Sequence, residues 1–403
     1  MTPTAEKRLR ICHVITRMII GGAQENTLYT IQGHLEHGHE VTLLTGPTDG
    51  PEGKLLQQFR PNGMEVVEIP SLIRSIDLRK DWRALRELEA FFRQGRFDVV
   101  HTHASKAGIL GRIAARRAGV PFVCHTVHGQ AFHPYQSWLK NRIYIAAEHL
   151  AAKYCDRIYA VAQAMIDQCV KAGVAPREKY QVVYSGMDLQ SFVQARRSAE
   201  LRAELGIPAD SLVVGVVARL FELKGHDCLI KAAPAIVARH PEVRFLLVGD
   251  GVLRARFEQD IAAAGLQKNF VFAGLVPPER IPDYVAQMDV LAHLSLREGL
   301  PRACVQGLAA AIPVVAHPLD GTPEVVLDHR TGLLTPPRDA VAVADALNCL
   351  LDDASLRHSL GAEGQRLVLE RFDWRRMADI LEAEYLKGVA EARTPCPGGK
   401  STR

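Results

Sequence analysis

The chain has 403 residues, more than one hydrophobic core usually serves, and its 47% hydrophobic and 23% charged residues are ordinary for a globular protein. No apolar run approaches the roughly 18 residues that a membrane-spanning helix needs. The formal charge of +4 is unevenly distributed, because residues 1–185 carry 24 basic and 17 acidic side chains (net +7) and residues 186–403 carry 25 and 28 (net −3). We expect the basic half to favour an anionic membrane surface. Nucleic acid is the less favoured partner, because no base-stacking aromatic motif is present.

Strand-like apolar runs alternate with helical stretches along the chain, which predicts parallel sheets in doubly wound layers. In the first half the predicted strands are 11–15, 40–44, 66–69, 99–101, 122–126, 157–161 and 180–183. In the second half they are 213–217, 244–248, 270–272, 290–294 and 313–316, with a short strand at 332–333. The predicted fold class is α/β with two domains, and the polar stretch 187–205 is the expected boundary.

The cysteines predict a reduced, cytoplasmic compartment. The eight of them include neither a CxxC pair nor a Cys/His cluster with zinc-ligand spacing. Cys12, Cys124, Cys155 and Cys169 stand among apolar residues, as buried free thiols do. Arg17 interrupts the first apolar run and no small-residue cleavage site follows, so we expect no signal peptide.

Two basic residues follow the apolar run 213–217 and predict an anion site. Open α/β sheets bind ligands in the loops at the carboxyl ends of their parallel strands. Arg219 offers a planar fork and Lys224 a compact point charge, and together they suit a diphosphate. The alternative is a pair of solvated loop side chains.

A second strand-to-loop junction carries Glu298 and, eight residues later, Gln306. The residues from 300 to 311 are mostly apolar or small and predict a helix, whose N-terminus would bind an anion through free N–H groups and the dipole. Eight helical residues span roughly 12 Å. The segment therefore offers an acceptor for sugar hydroxyls, a phosphate site and a partner for ribose hydroxyls. The alternative for Glu298 is a charge that merely stabilises the helix N-terminus.

The second half of the chain resembles the C-terminal half of retaining glycosyltransferase family 4. It contains, in that family's order, VARLFELKGHDCLIKAAP, FLLVGDG, VFAGLVPPERIPDYVAQMDV, SLREGLPRACVQGLAAAIPVVAH and GTPEVV. The segments GGAQ near the start and VCHTVHG in the middle extend the resemblance to nearly the whole chain. The family signature is an E-x(7)-E pair that follows an Arg…Lys-Gly diphosphate motif.

The resemblance implies the GT-B architecture, in which two Rossmann-like domains face each other across a cleft. It implies an acceptor-binding domain at 1–187 and a nucleotide-sugar-binding domain at 188–372. A C-terminal helix at 373–390 would cross back to the first domain, with Trp374 as its packing anchor. The tail 394–403 has no core-forming pattern and is predicted to be disordered.

The resemblance also implies roles for single residues at the donor site. Glu298 would bind hydroxyls of the donor sugar, and the backbone N–H groups of Gly299 and Leu300 would face the distal phosphate. Val276 would lie near the base. Gly22 would let the backbone approach the ligand in the cleft.

His128, in the HG step, would lie near the donor sugar and the bond that is cleaved. His101 and His103, at the end of another predicted strand, are close rivals that could face the acceptor. His125 falls inside a predicted strand and is assigned to the core. Imidazoles at strand ends suit a reacting centre because they donate or accept hydrogen bonds.

Gln306 departs from the family pattern, which has a second Glu there. Its amide can accept from one ribose hydroxyl and donate to the other, but it lacks the charge assistance of a carboxylate, a difference of roughly 1 kcal/mol. The alternative is that Gln306 is a solvent-facing helix residue.

The predicted reaction is the transfer of a hexosyl group from a UDP-sugar or GDP-sugar to a hydroxyl acceptor, with retention of configuration, in the synthesis of a cell-surface polysaccharide, lipopolysaccharide or glycolipid. The chain has no DxD motif, so we expect neither a metal nor a further cofactor. The alternatives are a sugar-nucleotide epimerase of the same fold and a catalytically silent scaffold that binds glycan or lipid.

Two basic clusters are predicted either as solvated helix faces or as a surface for reversible docking on the inner face of a membrane, which a lipid-linked acceptor would require. The first surrounds Trp82, and the second follows an apolar helix face. They consist of Arg74, Arg79, Lys80, Arg83 and Arg86, and of Lys106, Arg112, Arg116 and Arg117.

Overall fold

The computed structural model describes residues 8–48 and 53–394. Its strands are β1 (Arg10–Ile15), β2 (Glu40–Thr45), β3 (Glu65–Glu68), β4 (Val99–His103), β5 (Phe122–Val127), β6 (Arg157–Ala160), β7 (Tyr180–Val182), β8 (Val213–Val217), β9 (Arg244–Val248), β10 (Phe270–Gly274), β11 (Val290–His293), β12 (Val314–Ala316) and β13 (Gly332–Leu334). The predicted strands are confirmed, each within one or two residues of its predicted bounds.

Helices separate most of the strands. They are α1 (Gly22–Glu36), α2 (Leu78–Gly95), α3 (Ser105–Arg117), α4 (Trp138–Ala152), α5 (Gln163–Lys171), α6 (Gln190–Gln194), α7 (Ala199–Glu204), α8 (His226–Arg239), α9 (Arg254–Ala263), α10 (Ile281–Val285), α11 (Arg302–Ala309), α12 (Thr322–Val325), α13 (Ala340–Asp352), α14 (Ala354–Arg371) and α15 (Trp374–Arg393). Among the described residues, no helix is both long and apolar enough to cross a membrane.

The chain forms two compact units. The first comprises the residues up to Met187 and those from Trp374 onward, and the second is Asp188–Asp373. The first contains a parallel sheet in the order β3-β2-β1-β4-β5-β6-β7, and the second a parallel sheet in the order β10-β9-β8-β11-β12-β13. The strand order reverses at β1/β4 in one sheet and at β8/β11 in the other, which are the positions where such sheets bind ligands.

The helix α15 packs on the first unit, against α1. Gly33 is the reason the two helices approach so closely, because a Cβ atom there would lie 2.3 Å from Cβ of Ala378. Trp374 is buried and its ring stacks on Tyr29 with 5.6 Å between centroids. The predicted packing anchor is therefore confirmed, while the roles assigned to the two units remain predictions. Of the predicted disordered tail, all but Thr394 lies outside the described residues.

The two sheets are buried as their apolar strands predict. In the second unit β8 is VVGVV, and Gly215 leaves room for Met288, whose sulfur would be 2.0 Å from a Cβ atom at this position.

The predicted burial of the first-half cysteines is confirmed, because Cys12, Cys124, Cys155 and Cys169 are all buried as free thiols.

Candidate functional site

In the second unit, two loops meet where the strand order reverses. The loop after β8 carries Arg219 and Lys224, and the loop after β11 carries Glu298. Hydrogen bonds join the two loops, since the N–H of Leu296 donates to the carbonyl of Leu223 at 2.8 Å. The sequence brings these charged side chains together because β8 and β11 are neighbours in the sheet although they are far apart in the chain.

Gly225 allows the β8 loop to lie against the end of β11. Its φ is 81°, and a Cβ atom there would be 2.0 Å from the carbonyl oxygen of Leu294. Both the left-handed backbone and the close approach favour glycine. The residue thus fixes where the preceding Lys224 emerges.

Lys224 and Glu298 form a half-buried ion pair. Nζ of Lys224 lies 2.6 Å from Oε1 of Glu298, and Nε2 of His293 lies 3.4 Å from the same oxygen. Burial acts to raise the pKa of Glu298, but the contacts with His293 and Lys224 outweigh it and lower this pKa to about 2. Glu298 is therefore a carboxylate at any ordinary pH, and its second oxygen can accept hydrogen bonds from a sugar.

Arg219 is exposed at the same strand end. Its guanidinium lies over the ring of Phe221, with 4.8 Å from Cζ to the ring centroid, and within the described part of the chain it has no carboxylate partner. The turn after β9 supports the backbone beside it, because a Cβ atom at Gly249 would be 2.2 Å from the carbonyl oxygen of Ala218. A cation held on a fixed loop without a counter-charge suits an anionic ligand.

The predicted helix after Glu298 is confirmed, but it starts two residues later than predicted, at Arg302. The helix α11 begins at Arg302, because Pro301 occupies the N-cap with ψ at 88°. Gly299 and Leu300 therefore belong to a loop. Their N–H groups are not part of the helix N-terminus, and the eight residues from Glu298 to Gln306 do not form one straight helix.

The loop is held by the segment before α12 instead. The N–H of Glu298 donates to Oδ2 of Asp320 at 2.7 Å, and the carbonyl of Gly299 accepts from the N–H of Gly321 at 3.2 Å. Gln306 is half-buried in α11, and no described residue hydrogen-bonds its side chain. Its amide is thus available to a ligand, as predicted for a ribose partner, although nothing tests that role.

Val276 lies beyond β10, after the exposed Leu275. Val276 is 8% exposed and Leu275 is 80% exposed. Gly274, at the strand end, has a φ of 71° and turns the chain. The position is at the carboxyl end of the sheet, where a base would bind, but its contact with a base stays a prediction.

Sequence reasoning missed two residues at this site. His293 was included in the predicted strand, and Asp320 was not considered. The signal for His293 was available, because it is the last residue of β11 and strand ends carry ligand-binding groups. Asp320 has a φ of 50° and acts through a backbone hydrogen bond that only the folded chain reveals.

In the first unit, His128 follows β5 directly and lines a pocket of about 310 Å³ with Gly129, Gln130 and the strand end. Its Nε2 lies 3.0 Å from Nδ1 of His103. The predicted position of His128 at the carboxyl end of a strand is therefore confirmed, while its role in catalysis is untested.

His101 and His103 do not face the surroundings, so the expectation that they face an acceptor was wrong. Both belong to β4, which extends to His103, and both are fully buried. His101 contacts the hydroxyl of Tyr385 through Nδ1 and Oγ1 of Thr126 through Nε2, at 2.7 Å for the latter. Nitrogen atoms of His13, His101 and His103 lie within 4.8 Å of one another. Both nitrogens of His101 and of His103 are already hydrogen-bonded, so the group is a hydrogen-bonded cluster and not a vacant set of metal ligands.

A second pocket of about 500 Å³ lies where the strand order of the first sheet reverses. Arg17, Arg74 and Lys106 contribute cations to its lining, and the exposed side chains of Ile76 and Ile143 contribute apolar surface. Gly22 is the first residue of α1, at the end of the loop after β1. The pocket thus combines positive charge with an apolar edge.

The two predicted basic clusters differ in the structure. In the first, around the exposed Trp82, every member is exposed. In the second, Arg112 is fully buried with Nη2 2.6 Å from Oε2 of Glu148, and Arg116 pairs with Asp156 at 2.6 Å. Lys106 also pairs with Asp81, so of the four cations in the second cluster only Arg117 is exposed, and the cluster offers little charge for docking.

Comparison with known proteins gives consistent results for both halves. A model described as glycosyl transferases group 1 matches residues 197–367, and one described as glycosyl transferase 4-like domain matches residues 21–186. The chain is 29% identical over 393 residues to UDP-Gal:alpha-D-GlcNAc-diphosphoundecaprenol alpha-1,3-galactosyltransferase of Escherichia coli, covering 96% of this chain and 99% of that protein. It is 32% identical over 322 residues to D-inositol 3-phosphate glycosyltransferase of Saccharomonospora viridis, covering 76% of this chain and 73% of that one.

The fold is also similar to solved structures. One is Alr3699/HepE of Anabaena, determined in complex with UDP and glucose, with a TM-score of 0.79 and 23% identity over 94% of this chain and all of that one (100%). At this identity the likeness concerns the fold alone.

Proposed function

We infer the reaction from one premise: this chain belongs to the group 1 glycosyltransferases, of the family 4 type with two Rossmann-like domains. It is accordingly a glycosyltransferase. We propose that it transfers a hexosyl group from a nucleoside-diphosphate sugar to a hydroxyl, with retention at the anomeric carbon.

The ion pair between Lys224 and Glu298 is the observation that supports this proposal best. It lies where the strand order reverses, and the loop that carries Lys224 also carries the exposed Arg219, for which no described residue supplies a carboxylate. A nucleotide sugar needs this combination, because its hydroxyls require an acceptor and its diphosphate requires positive charge. When the donor binds, its phosphates would share Lys224 with Glu298, and the second carboxylate oxygen of Glu298 would accept hydrogen bonds from the sugar.

The proposed mechanism is electrostatic. As the bond to the sugar breaks, negative charge grows on the departing diphosphate, and preorganised cations stabilise this charge more in the transition state than in the ground state. Arg219 and Lys224 supply that charge, so we propose that no metal is needed. Glu298 orients the sugar, and the departing phosphate takes the proton of the acceptor hydroxyl on the same face.

The proposed donor is a UDP-sugar and the proposed acceptor a lipid-linked glycan. The name of the Escherichia coli relative specifies UDP-Gal and a GlcNAc carried by diphosphoundecaprenol, and the match spans nearly both whole chains. In the first unit, the 500 Å³ pocket offers Arg17 and Arg74 to an anionic head group and Ile76 and Ile143 to an apolar tail. These features support synthesis of a cell-surface glycan.

We further propose that the first basic cluster, with Trp82, docks the protein on the inner face of the membrane. The cluster carries five exposed cations beside three exposed apolar side chains, Ile76, Leu78 and Trp82. Flotation with vesicles that contain anionic lipid tests this, and it should succeed at low salt and fail at high salt. Absence of binding at low salt would contradict it.

The experiment that tests the reaction is a donor screen. Purified protein is incubated with UDP- and GDP-sugars and a synthetic lipid-diphosphate-linked sugar, with and without EDTA, and the product anomer is read by NMR. The proposal predicts transfer from a UDP-sugar, an α-linked product from an α-linked donor, and no effect of EDTA. Epimerised donor without transfer would indicate the epimerase, and no reaction or binding would indicate the scaffold.

A further inference from the structure

Three imidazoles form a row that runs from the end of β5 into the core of the first unit. Nε2 of His128 lies 3.0 Å from Nδ1 of His103, and Nε2 of His103 lies 3.0 Å from Nδ1 of His13. The planes of neighbouring rings are inclined by only 28° and 14°. The row therefore contains two ring-to-ring hydrogen bonds, and in each of them Nε2 of one ring meets Nδ1 of the next ring.

The sheet order places these residues side by side. His13 lies on β1, His103 on β4, and His128 follows β5, and these three strands are consecutive in the sheet. His103 is paired in register with Thr126, two residues before His128, so the two imidazoles lie on one face. The helices α1 and α15 cover that face, which leaves the inner end of the row fully buried.

The row forces its members to share one tautomer. A neutral imidazole has one N–H and one lone-pair nitrogen, so two consecutive ring-to-ring bonds require all three rings to carry the proton on Nε2 or all three on Nδ1. The first arrangement leaves a donor at Nε2 of His13, where no described residue accepts it. The second leaves only a lone pair on that atom. The second is favoured, because buried donors without an acceptor are rarer in proteins than buried acceptors without a donor.

Burial keeps the two inner rings of the row, His13 and His103, neutral. It lowers the pKa of His13 to about 3 and holds the pKa of His103 well below its ordinary value, with the neighbouring imidazoles His101 and His128 contributing to the latter. No carboxylate is among the groups that shift either pKa. His13 and His103 therefore stay neutral at working pH.

We propose that His103 and His13 are positioning residues that hold His128 in the tautomer protonated at Nδ1. His128 then acts at Nδ1 as a hydrogen-bond donor and not as a base. The orientation of the ring is fixed by the same hydrogen bond. This inference rests on the proposed transferase function and on the expectation, implied by the family resemblance, that His128 lies near the donor sugar and the bond that is cleaved.

The direct test is nitrogen NMR of the full chain labelled with ¹⁵N-histidine at pH 7.5, with the His128 signals assigned through their loss in His128→Gln. The proposal predicts a protonated Nδ1 and an unprotonated Nε2 for His128. In His103→Phe, which keeps a ring but removes the donor, His128 should shift towards protonation at Nε2. The kcat of the His103→Phe variant should fall on the order of 10- to 100-fold, as is usual when the orienting partner of a functional imidazole is removed. The KM for the donor should change little.

Thr102→Val is the matched control. Thr102 is the neighbour of His103 on β4 and bonds His125 through Oγ1 at 3.0 Å, on the opposite face of the sheet. The variant loses one buried hydrogen bond of the same strand and leaves the row intact. The His128 tautomer and kcat should therefore match those of the unmodified protein.

Other results would overturn the proposal. One is a His128 that is protonated at Nε2 or charged in the unmodified protein. Another is a His128 tautomer that is unchanged in the His103→Phe variant. Stoichiometric zinc that disappears in His13→Phe would replace the row with a metal site. If His103→Phe does not fold, His13→Phe is measured instead, and the same shift of smaller size is expected. A protein without transferase activity would refute the proposed function, while the NMR measurement would still decide the tautomer.

Discussion

Nζ of Lys224 and Oε1 of Glu298 lie 2.6 Å apart although 74 residues separate them in the chain. The contact exists because β8 and β11 are neighbours and their loops are hydrogen-bonded to each other. It combines the two properties that a nucleotide-sugar site needs, a carboxylate that stays charged and a cation beside it. The account of the donor site depends on this pair and on Arg219.

Replacing Lys224 with Met should lower kcat/KM for the donor on the order of 100-fold, because one of the two cations that we propose stabilise the departing diphosphate is removed. Steady-state kinetics with a saturating acceptor measures it. Lys231→Met, an exposed lysine of the adjacent α8, is the control and should leave the kinetics unchanged. Equal effects of the two variants would contradict a specific role for Lys224.

Replacing Gln306 with Glu should preserve or raise affinity for the donor, by roughly 1 kcal/mol, because a carboxylate accepts from both ribose hydroxyls with charge assistance. Calorimetry with the nucleotide measures it. Gln267→Glu, at an exposed position of the same unit, adds the same charge away from the site. A Gln306→Glu variant that no longer binds would show that the ribose is held in another way.

Replacing Gly225 with Ala should destabilise the second unit by about 2 to 4 kcal/mol, since the new Cβ would meet the carbonyl of Leu294 and the left-handed backbone would be strained. Gly265→Ala is the matched control. Gly265 also has a positive φ, 72°, but no atom lies within 4 Å of its Cβ position, so only the strain of about 1 to 2 kcal/mol applies. Denaturant unfolding compares them, and equal losses would contradict the close approach of the two loops.

The sequence predicted the strands well because each is a short apolar run that the sheet buries, as VVGVV in β8 illustrates. It located Arg219, Lys224, Glu298 and His128 at strand ends, since strand ends follow from the strands. It placed the start of α11 two residues too early, because apolar composition suggested a helix from residue 300 whereas Pro301 is the N-cap. Contacts between distant segments, such as Asp320 with the N–H of Glu298, could not be predicted from one sequence because only tertiary structure creates them.

The buried histidines should make the first unit sensitive to mild acid. The pKa of His13 is lowered by burial to about 3, and burial also lowers the pKa values of His34, His101 and His103 well below the ordinary range. In the unfolded chain these imidazoles titrate near about 6.5, so between the two values the unfolded state binds more protons and stability rises with pH. Thermal unfolding should therefore shift to lower temperature as pH falls from 6.5 to 5 and level off above 7.

His13→Phe should reduce that dependence, because one of the titrating groups is lost. Circular dichroism melts of both proteins at matched ionic strength make the comparison. A melting temperature as high at pH 5 as at pH 7 would contradict the neutral, buried state of the cluster.

Replacing His34 with Phe should stabilise the first unit or leave it unchanged. No described residue forms a hydrogen bond of ordinary geometry with either ring nitrogen of this buried residue, although the backbone of Ala378 affects its pKa, and the ring packs against His13 and Tyr385. Removing two desolvated polar atoms should contribute about 1 kcal/mol or more. Denaturant unfolding tests this, and a large loss of stability would reveal a polar partner of His34.

Calorimetric titration of UDP and of uridine into the unmodified protein and into Arg219→Ala tests the central claim most directly. The account predicts that UDP binds, that uridine binds far more weakly because it lacks the diphosphate, and that Arg219→Ala removes most of the difference. Equal affinity for UDP and uridine, or an undiminished preference for UDP in Arg219→Ala, would contradict diphosphate binding at the end of β8.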